Sequence, residues 1–275
     1  MKKLITILLA ACLMAGAAFT FASCGAKEDK LICGVTEFDP MNYLDADGNW
    51  TGFDTEFALL VGQKIGLEVE FQKIEWSSKY TELKSGAINA IWNGFTANSV
   101  EKDDGKARSA KVDFSYSYMI NTQCAVVKAD KAGEYKTAAD FASKTIAAES
   151  GSSGESVANT IVGGGKVVAA GSQTSALTEV LSGASDCAVV DITLAAELLS
   201  KGGDFAKLKI LSIDLGADTE YYAVGFKKGS SLTKKVNDAI KELYDDGSLL
   251  TLAKKYNLEN ALILNTDVKG FTAVD

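Results

Sequence analysis

The chain has 275 residues, of which 47% are hydrophobic and 23% are charged, and this composition is typical of a globular protein with one or two domains. Its net charge of −8, with no run of lysine or arginine, argues against nucleic acid or an anionic lipid surface as a partner. It contains no histidine, which excludes a Ser-His-Asp triad and a histidine-held zinc, and no carboxylate cluster stands out, so we expect no metal and no cofactor.

The first residues have the features of a bacterial export signal. Met1-Lys2-Lys3 precedes an apolar run over 4–21, and the segment ends at Ala22-Ser23-Cys24-Gly25. Small residues before Cys24 indicate a lipobox, so we expect a lipoprotein signal peptide over 1–23 that is cleaved before Cys24, whose sulfur then carries a lipid anchor. An ordinary cleaved signal and an uncleaved anchor are the alternatives.

Residues 24–30 are small or charged and are predicted to form a lipid-anchored tether. No later segment is apolar over the length that a membrane span requires. We therefore expect an extracytoplasmic body that is attached to the cell membrane through Cys24.

Beyond the tether, short apolar runs alternate with amphipathic stretches of helical length. This alternation is typical of α/β layers with largely parallel sheets. Strands are predicted at 31–35, 67–73, 90–92, 124–128, 145–148, 166–169, 187–190 and 222–226. Helices are predicted at 54–65, 79–85, 155–162, 174–182, 192–200, 232–245 and 249–256.

Three cysteines remain after the predicted lipidation site, at Cys33, Cys124 and Cys187. They lie in apolar segments without Cys-x-x-Cys spacing, which favours buried free thiols, although one disulfide is an alternative.

Two segments, 82–91 and 179–188, share a helix end, a Ser-Gly-Ala turn and a strand, and they lie 97 residues apart. This similarity predicts two lobes of similar construction, unless a common turn sequence recurs by chance. In this register Gly94 and Asp191 take the same place beyond a strand's carboxyl end, where open α/β sheets bind ligands.

Arg108 is the only arginine of the chain, and it precedes the aspartate of Val112-Asp113-Phe114-Ser115 by five residues. A guanidinium binds a carboxylate through two parallel hydrogen bonds, which a lysine does not do. A chance surface position is the alternative interpretation, so the role of Arg108 depends on which residues lie around it.

The mature chain resembles the extracytoplasmic amino-acid-binding proteins of ABC transporters over nearly its whole length. No single motif is specific, but their order and spacing, together with the lipobox, are distinctive. The motifs are Gly52-Phe53-Asp54, Leu83-x-Ser85-Gly86-x-Ile88-x-Ala90, Trp92-Asn93-Gly94-Phe95-Thr96, Arg108 with Val112-Asp113-Phe114-Ser115, Gly151-Ser152-Ser153-Gly154-Glu155, and Asp186-x-Ala188-x-Val190-Asp191.

The resemblance implies a role for each matching residue. Arg108 would bind the ligand α-carboxylate, and Gly94 and Thr96 would hold the amino and carboxylate groups from the same lobe, with simple turn chemistry as their alternative. Ser152 and Ser153 would meet the carboxylate from the second lobe, although one of them also suits a helix N-cap. Asp191 would pair with the α-ammonium, with a helix cap as its competing role.

The resemblance also implies aromatic side chains against the ligand. Phe53 matches one such position, and Phe38 is the candidate for the other, with Glu37 and Tyr43 as alternatives because this segment is a residue shorter than usual. Asp54 is interpreted as a helix cap.

The chain departs from the family between Thr96 and Arg108, where eleven residues replace the usual four. The inserted segment is polar and is predicted to be an exposed loop that reshapes the cleft mouth or contacts the permease. If the alignment slips here, Lys102 becomes the alternative carboxylate contact.

The resemblance implies an α/β, two-lobed fold like that of periplasmic binding proteins, with two hinge crossings near Gln123 and Glu220 and a ligand cleft between the lobes. Lobe 1 is expected at 31–121 and 221–275, and lobe 2 at 122–220. The expected function is to capture a polar amino acid or cystine as a monomer and deliver it to an ABC permease, without enzymatic activity. A carboxylate-based dehydratase and an amino-acid sensor without a transport role are the alternatives.

Overall fold

A computed structural model describes residues 30–265, 267–268 and 271–273. The predicted signal peptide and the tether up to residue 29 lie outside the described residues. Within the described ranges, no helix is both long and apolar enough to cross a membrane.

Seventeen strands, seven α-helices and five short 3-10 helices make up the regular structure of the described residues. The strands are β1 Lys30–Val35, β2 Tyr43–Leu44, β3 Trp50–Thr51, β4 Glu68–Lys73, β5 Ala90–Ile91, β6 Asp113–Phe114, β7 Ser117–Asn121, β8 Gln123–Lys128, β9 Thr145–Glu149, β10 Lys166–Ala170, β11 Cys187–Asp191, β12 Leu208–Ile210, β13 Glu220–Tyr222, β14 Gly225–Phe226, β15 Leu262–Asn265, β16 Asp267–Val268 and β17 Phe271–Thr272. The helices are α1 Phe53–Ile65, α2 Lys79–Ser85, α3 Ser153–Ile161, α4 Gln173–Ser182, α5 Ile192–Ser200, α6 Ser231–Asp245 and α7 Ser248–Lys255.

Two five-stranded sheets carry the fold. The first has the order β4-β1-β5-β14-β6, and the second has the order β10-β9-β11-β8-β12. In each sheet three strands run parallel, β4, β1 and β5 in the first and β10, β9 and β11 in the second, while the other two pair antiparallel. The α/β, two-lobed fold is therefore confirmed, although the sheets are less uniformly parallel than the sequence pattern predicts.

The chain passes between the sheets through a third, three-stranded sheet with the order β13-β7-β15. β7 leads into β8 of the second sheet, and β13 returns the chain toward β14 of the first. Asn121 pairs with Glu220 across this linking sheet, so the two crossings lie side by side. The residue limits of the lobes stay predictions.

Alternating burial places apolar side chains on both faces of each sheet, as a period of two residues requires. In β8, Ala125 and Val127 join one core cluster, whereas Cys124 and Val126 join another. In α6, four apolar residues at helical spacing are at most 2% exposed: Leu232, Val236, Ile240 and Leu243. The three cysteines are buried free thiols, as the apolar context favoured.

Candidate functional site

A cavity between the first and second sheets is lined by eleven residues, and the space between them, including open solvent, is about 270 Å³. Seven of the eight residues predicted to bind the ligand line it: Phe38, Gly94, Thr96, Arg108, Ser152, Ser153 and Asp191. Four further residues that were not predicted as contacts line it as well: Trp76, Asn93, Glu149 and Gln173.

The carboxyl ends of strands place these residues together. Gly94 follows β5 in the first sheet, whereas Glu149 ends β9 and Asp191 ends β11 in the second. Open α/β sheets bind ligands at this edge. The predicted equivalence of Gly94 and Asp191 therefore corresponds to two positions on one cavity wall, one from each sheet.

Phe53 is the exception, and its prediction as a ligand contact is corrected here. It begins α1, is fully buried, and belongs to the core rather than to the residues that line the cavity. Its ring stacks on Tyr118 at 6.2 Å between centroids and also packs against Phe57 and Tyr256. The first turn of α1 directs the side chain into this aromatic cluster, so Phe38 and Trp76 are the aromatic residues of the cavity.

Asp54 also differs from its interpretation as a helix cap. Gly52 occupies the N-cap position of α1 and no side chain caps it. The buried Asp54 carboxyl instead accepts hydrogen bonds from the backbone N–H of Gly94 at 2.7 Å and from the Tyr118 hydroxyl at 2.9 Å. Burial raises the pKa of Asp54 to about 7, and these bonds fix the Gly94 backbone beside the cavity.

Gly94 has a positive φ of 55°, and a Cβ atom there would lie 2.5 Å from the Phe38 ring. Both facts require glycine, because other residues rarely adopt this φ and the ring blocks a side chain.

The Arg108 guanidinium is buried and held by three hydrogen bonds. Its Nε donates to Glu101 at 2.9 Å, one Nη to the Thr96 carbonyl at 3.1 Å, and the other Nη to the Gly151 carbonyl at 3.3 Å. The Phe95 ring lies 5.0 Å from its central carbon. A guanidinium has five N–H donors, so two remain for a carboxylate.

The inserted segment between Thr96 and Arg108 folds back on itself. The Glu101 N–H donates to the Lys106 carbonyl, and the Arg108 N–H donates to the Ser99 carbonyl. Residues 102–106 are exposed as predicted, but Glu101 is only 8% exposed, and it accepts a hydrogen bond from the Tyr80 hydroxyl at 2.5 Å. The segment therefore supplies the carboxylate that orients Arg108.

Lys102, the alternative carboxylate contact, does not line the cavity. Its Nζ donates to the Glu155 carboxylate at 2.8 Å. Glu155 lies in α3, so this ion pair joins the inserted segment to the second lobe. The geometry favours Arg108 over Lys102 as the cation of the site.

Lys79 is a buried cation that the sequence interpretation missed. It is 1% exposed, and its Nζ donates to the carbonyls of Gly151 at 3.1 Å and Trp76 at 3.4 Å. Burial and the nearby Arg108 charge lower its pKa to about 7. No sequence signal distinguishes this lysine from the exposed ones, because its burial comes from segments distant in the chain.

The two serines take different positions at the start of α3. The Ser152 hydroxyl accepts a hydrogen bond from the Glu155 N–H at 3.0 Å, which is the N-cap role considered for one of the pair. The Ser153 hydroxyl is buried and has no hydrogen-bond partner among the described residues. Ser153 therefore keeps its hydroxyl for a group inside the cavity.

Asp191 stands at the N-cap position of α5, but its side chain makes no capping bond. One carboxylate oxygen accepts hydrogen bonds from Asn121 at 2.5 Å and Gln123 at 2.6 Å, and the other accepts one from Gln173. Asp191 therefore takes the cap position without capping the helix through its side chain. The carboxyl is held by three amides, with its side chain in the cavity wall.

Glu220 shares two of these amides, accepting hydrogen bonds from Asn121 at 2.6 Å and Gln123 at 2.9 Å. Burial and the Asp191 charge raise the pKa of Glu220 to about 7, and burial also raises the pKa of Asp191. Two carboxyls this close do not both ionise readily, so a cation beside Asp191 would offset their repulsion.

Comparison with known proteins connects this geometry to a family. The model of the bacterial extracellular solute-binding proteins, family 3, matches residues 31–259. The chain is similar to the arginine-binding extracellular protein ArtP of Bacillus subtilis, with 29% identity over 93% of this chain and 98% of ArtP. It is also similar to the L-cystine-binding protein TcyA of Bacillus subtilis, with 30% identity over 80% of this chain and 77% of TcyA.

The chain is also similar to a solved structure of an amino-acid-binding protein. The substrate-binding protein of an ABC uptake transporter from Streptococcus pneumoniae, determined with bound histidine, is 32% identical and has a TM-score of 0.74. The similarity covers 85% of this chain and 94% of that protein.

Proposed function

Because the chain belongs to the bacterial extracellular solute-binding proteins, family 3, we propose that Arg108 and Asp191 hold the two charged ends of one amino acid in the cavity. The protein is an extracytoplasmic amino-acid-binding protein of the kind that serves an ABC transporter. One observation supports the assignment most strongly. The Arg108 guanidinium, with two remaining donors, and the buried Asp191 carboxyl line the same cavity. Such a pair matches the α-carboxylate and the α-ammonium of a zwitterion.

The remaining cavity residues complete this proposal. The ligand carboxylate is bound by Arg108 together with the Thr96 and Ser153 hydroxyls and the Ser152 region at the start of α3. The Gly94 backbone contacts the amino group. Phe38 lies along the ligand side chain. Because these groups come from both lobes, ligand binding favours their closure, which the permease then recognises.

The test is a thermal-shift screen of the purified protein against the natural amino acids and cystine, followed by calorimetry. A ligand at a hundred times its Kd adds about 2.7 kcal/mol to the unfolding free energy, which corresponds to a rise in Tm of roughly 5–10 °C for a chain of this size. If no amino acid and no cystine raised the Tm, the proposal would be wrong.

The same samples separate the alternatives. Recovery of the ligand unchanged after incubation is expected of a binding protein, whereas turnover would indicate an enzyme such as a dehydratase. Genes for a permease and an ATPase beside this one favour transport, and their absence favours a sensor. We propose a monomer with no catalytic role.

We propose that Cys24 carries the lipid anchor and that the mature protein is held on the cell membrane. The lipobox before Cys24 supports this, since acylation at that sulfur supplies the apolar chains for anchoring. The wild-type protein should incorporate labelled palmitate in a bacterial host, and Cys24→Ser should not. Equal labelling of both proteins would contradict the assignment.

A further inference from the structure

Glu149 is a buried carboxyl without a hydrogen-bond or ion-pair partner among the described residues. It ends β9 beside β11, is 4% exposed, and lines the cavity. Among the described residues, none forms a hydrogen bond or an ion pair with its side chain. By contrast, Arg108 and Asp191, the other ionisable residues of the cavity wall, each make three hydrogen bonds.

The two cations near Glu149 are bonded to other groups. Burial and the Asp191 charge raise its pKa to about 8, and Glu75 acts in the same direction. Lys79 and Arg108 act in the opposite direction, but both donate to the Gly151 carbonyl and lie beside the Glu101 carboxylate. A buried carboxyl is stable as an anion only beside a positive charge.

We propose that Glu149 is the subsite for a cationic ligand side chain, so that the amino acid taken by this protein is a basic one with a guanidinium or ammonium terminus. This rests on the proposed function, in which Arg108 and Asp191 already hold the α-carboxylate and the α-ammonium. With both ends of the zwitterion paired, Glu149 is the acid left over for the side chain.

The negative charge of the residues that line the cavity disfavours amino acids with acidic side chains, and the unpaired carboxyl disfavours apolar ones. An acidic side chain would bring a further anion toward Glu149 and Asp191, which like-charge repulsion disfavours. An apolar side chain would leave the Glu149 carboxyl without a hydrogen-bond partner. A basic side chain removes both costs, and the Trp76 and Phe38 rings on the same wall provide faces on which a cation packs well.

A second opening lies beside the cavity. Its volume of about 890 Å³ includes open solvent, and it is lined by Thr36, Glu75 and Ser172 among others. Glu75 is next to Trp76 and Ser172 is next to Gln173, so this opening borders the cavity. Glu75 adds a second acid on the side from which a long cationic chain would extend.

The experiment is calorimetry of the full mature domain with arginine, lysine, glutamine and cystine, comparing wild type with Glu149→Gln. The glutamine keeps the shape of the side chain and removes its charge. We expect wild type to prefer arginine or lysine, and Glu149→Gln to bind that ligand at least about tenfold more weakly while binding of glutamine changes by less than about threefold. The matched control is Glu259→Gln, an exposed position, which should bind like wild type.

The outcomes separate this inference from the function on which it rests. If wild type bound glutamine or cystine more tightly than either basic amino acid, or if Glu149→Gln kept wild-type affinity for its basic ligand, the inference would be overturned while amino-acid binding stood. If wild type bound none of the amino acids, the proposed function itself would fail. Thermal unfolding of Glu149→Gln without ligand checks that the variant folds.

Discussion

Replacing Arg108 by lysine should weaken binding of the amino acid by at least about tenfold, because one hydrogen bond to a charged group contributes about 1.5–3 kcal/mol. If both hydrogen bonds of a bidentate pair are lost, we expect the affinity to fall by about a hundredfold. Lysine keeps the positive charge beside Glu101, so the buried carboxylate retains a partner and the fold should persist. Calorimetry with the ligand identified by the thermal-shift screen measures the change.

Lys106→Ala is the control for Arg108→Lys, because Lys106 lies on the same inserted segment but is exposed. It should bind with wild-type affinity. An Arg108→Lys variant that is folded by circular dichroism and binds as tightly as wild type would show that Arg108 serves only to anchor the inserted segment.

Replacing Asp191 by asparagine should weaken binding by about a hundredfold or more. Leaving a buried charge unpaired costs about 3–5 kcal/mol, and here the unpaired charge is the ligand α-ammonium. The variant keeps the size of the side chain, and its oxygen can still accept from Asn121 or Gln123. Calorimetry and thermal unfolding, measured together, separate lost affinity from lost structure.

Asp186→Asn is the matched control. It makes the same change of aspartate to asparagine directly before β11, the strand that Asp191 ends. Asp186 is exposed and accepts a hydrogen bond from the Thr145 N–H at 2.8 Å. We expect its affinity to stay near that of wild type. Comparable losses in both variants would point to a general effect on the second lobe instead of a contact with the ligand.

Much of the fold could be predicted from the sequence because its signals are local. α2 and α5 begin and end where the pattern predicted, at Lys79–Ser85 and Ile192–Ser200. The strands β6, β7 and β15 were not predicted. Their pairing depends on partners far away in the chain.

In the candidate site too, features set by the local sequence were predicted, whereas features set by contacts between distant segments were not. Arg108 was identifiable because it is unique and stands in a motif of fixed spacing. The contact predicted for Phe53 was wrong because a side chain's direction at a helix start depends on what the helix packs against. Lys79 and Glu101 were missed as site residues for a related reason: their burial results from contacts between segments that the sequence shows only as polar.

Glu149 illustrates what sequence patterns omit even when the motif beside it is recognised. It lies two residues before Gly151 and directly after the predicted strand 145–148, where a single carboxylate in a small-residue segment has no distinguishing feature. Only its place in the cavity, with no partner among the described residues, separates it from an ordinary surface acid.

The ion pair of Lys102 and Glu155 joins the inserted segment to α3 of the second lobe. Its lysine side chain is 44% exposed, so dissolved ions reach it and weaken the attraction. If the lobes part when the proposed ligand leaves, their separation breaks this contact, whose strength depends on ionic strength. We therefore expect added salt to shorten the time for which the ligand stays bound, through a faster dissociation rate.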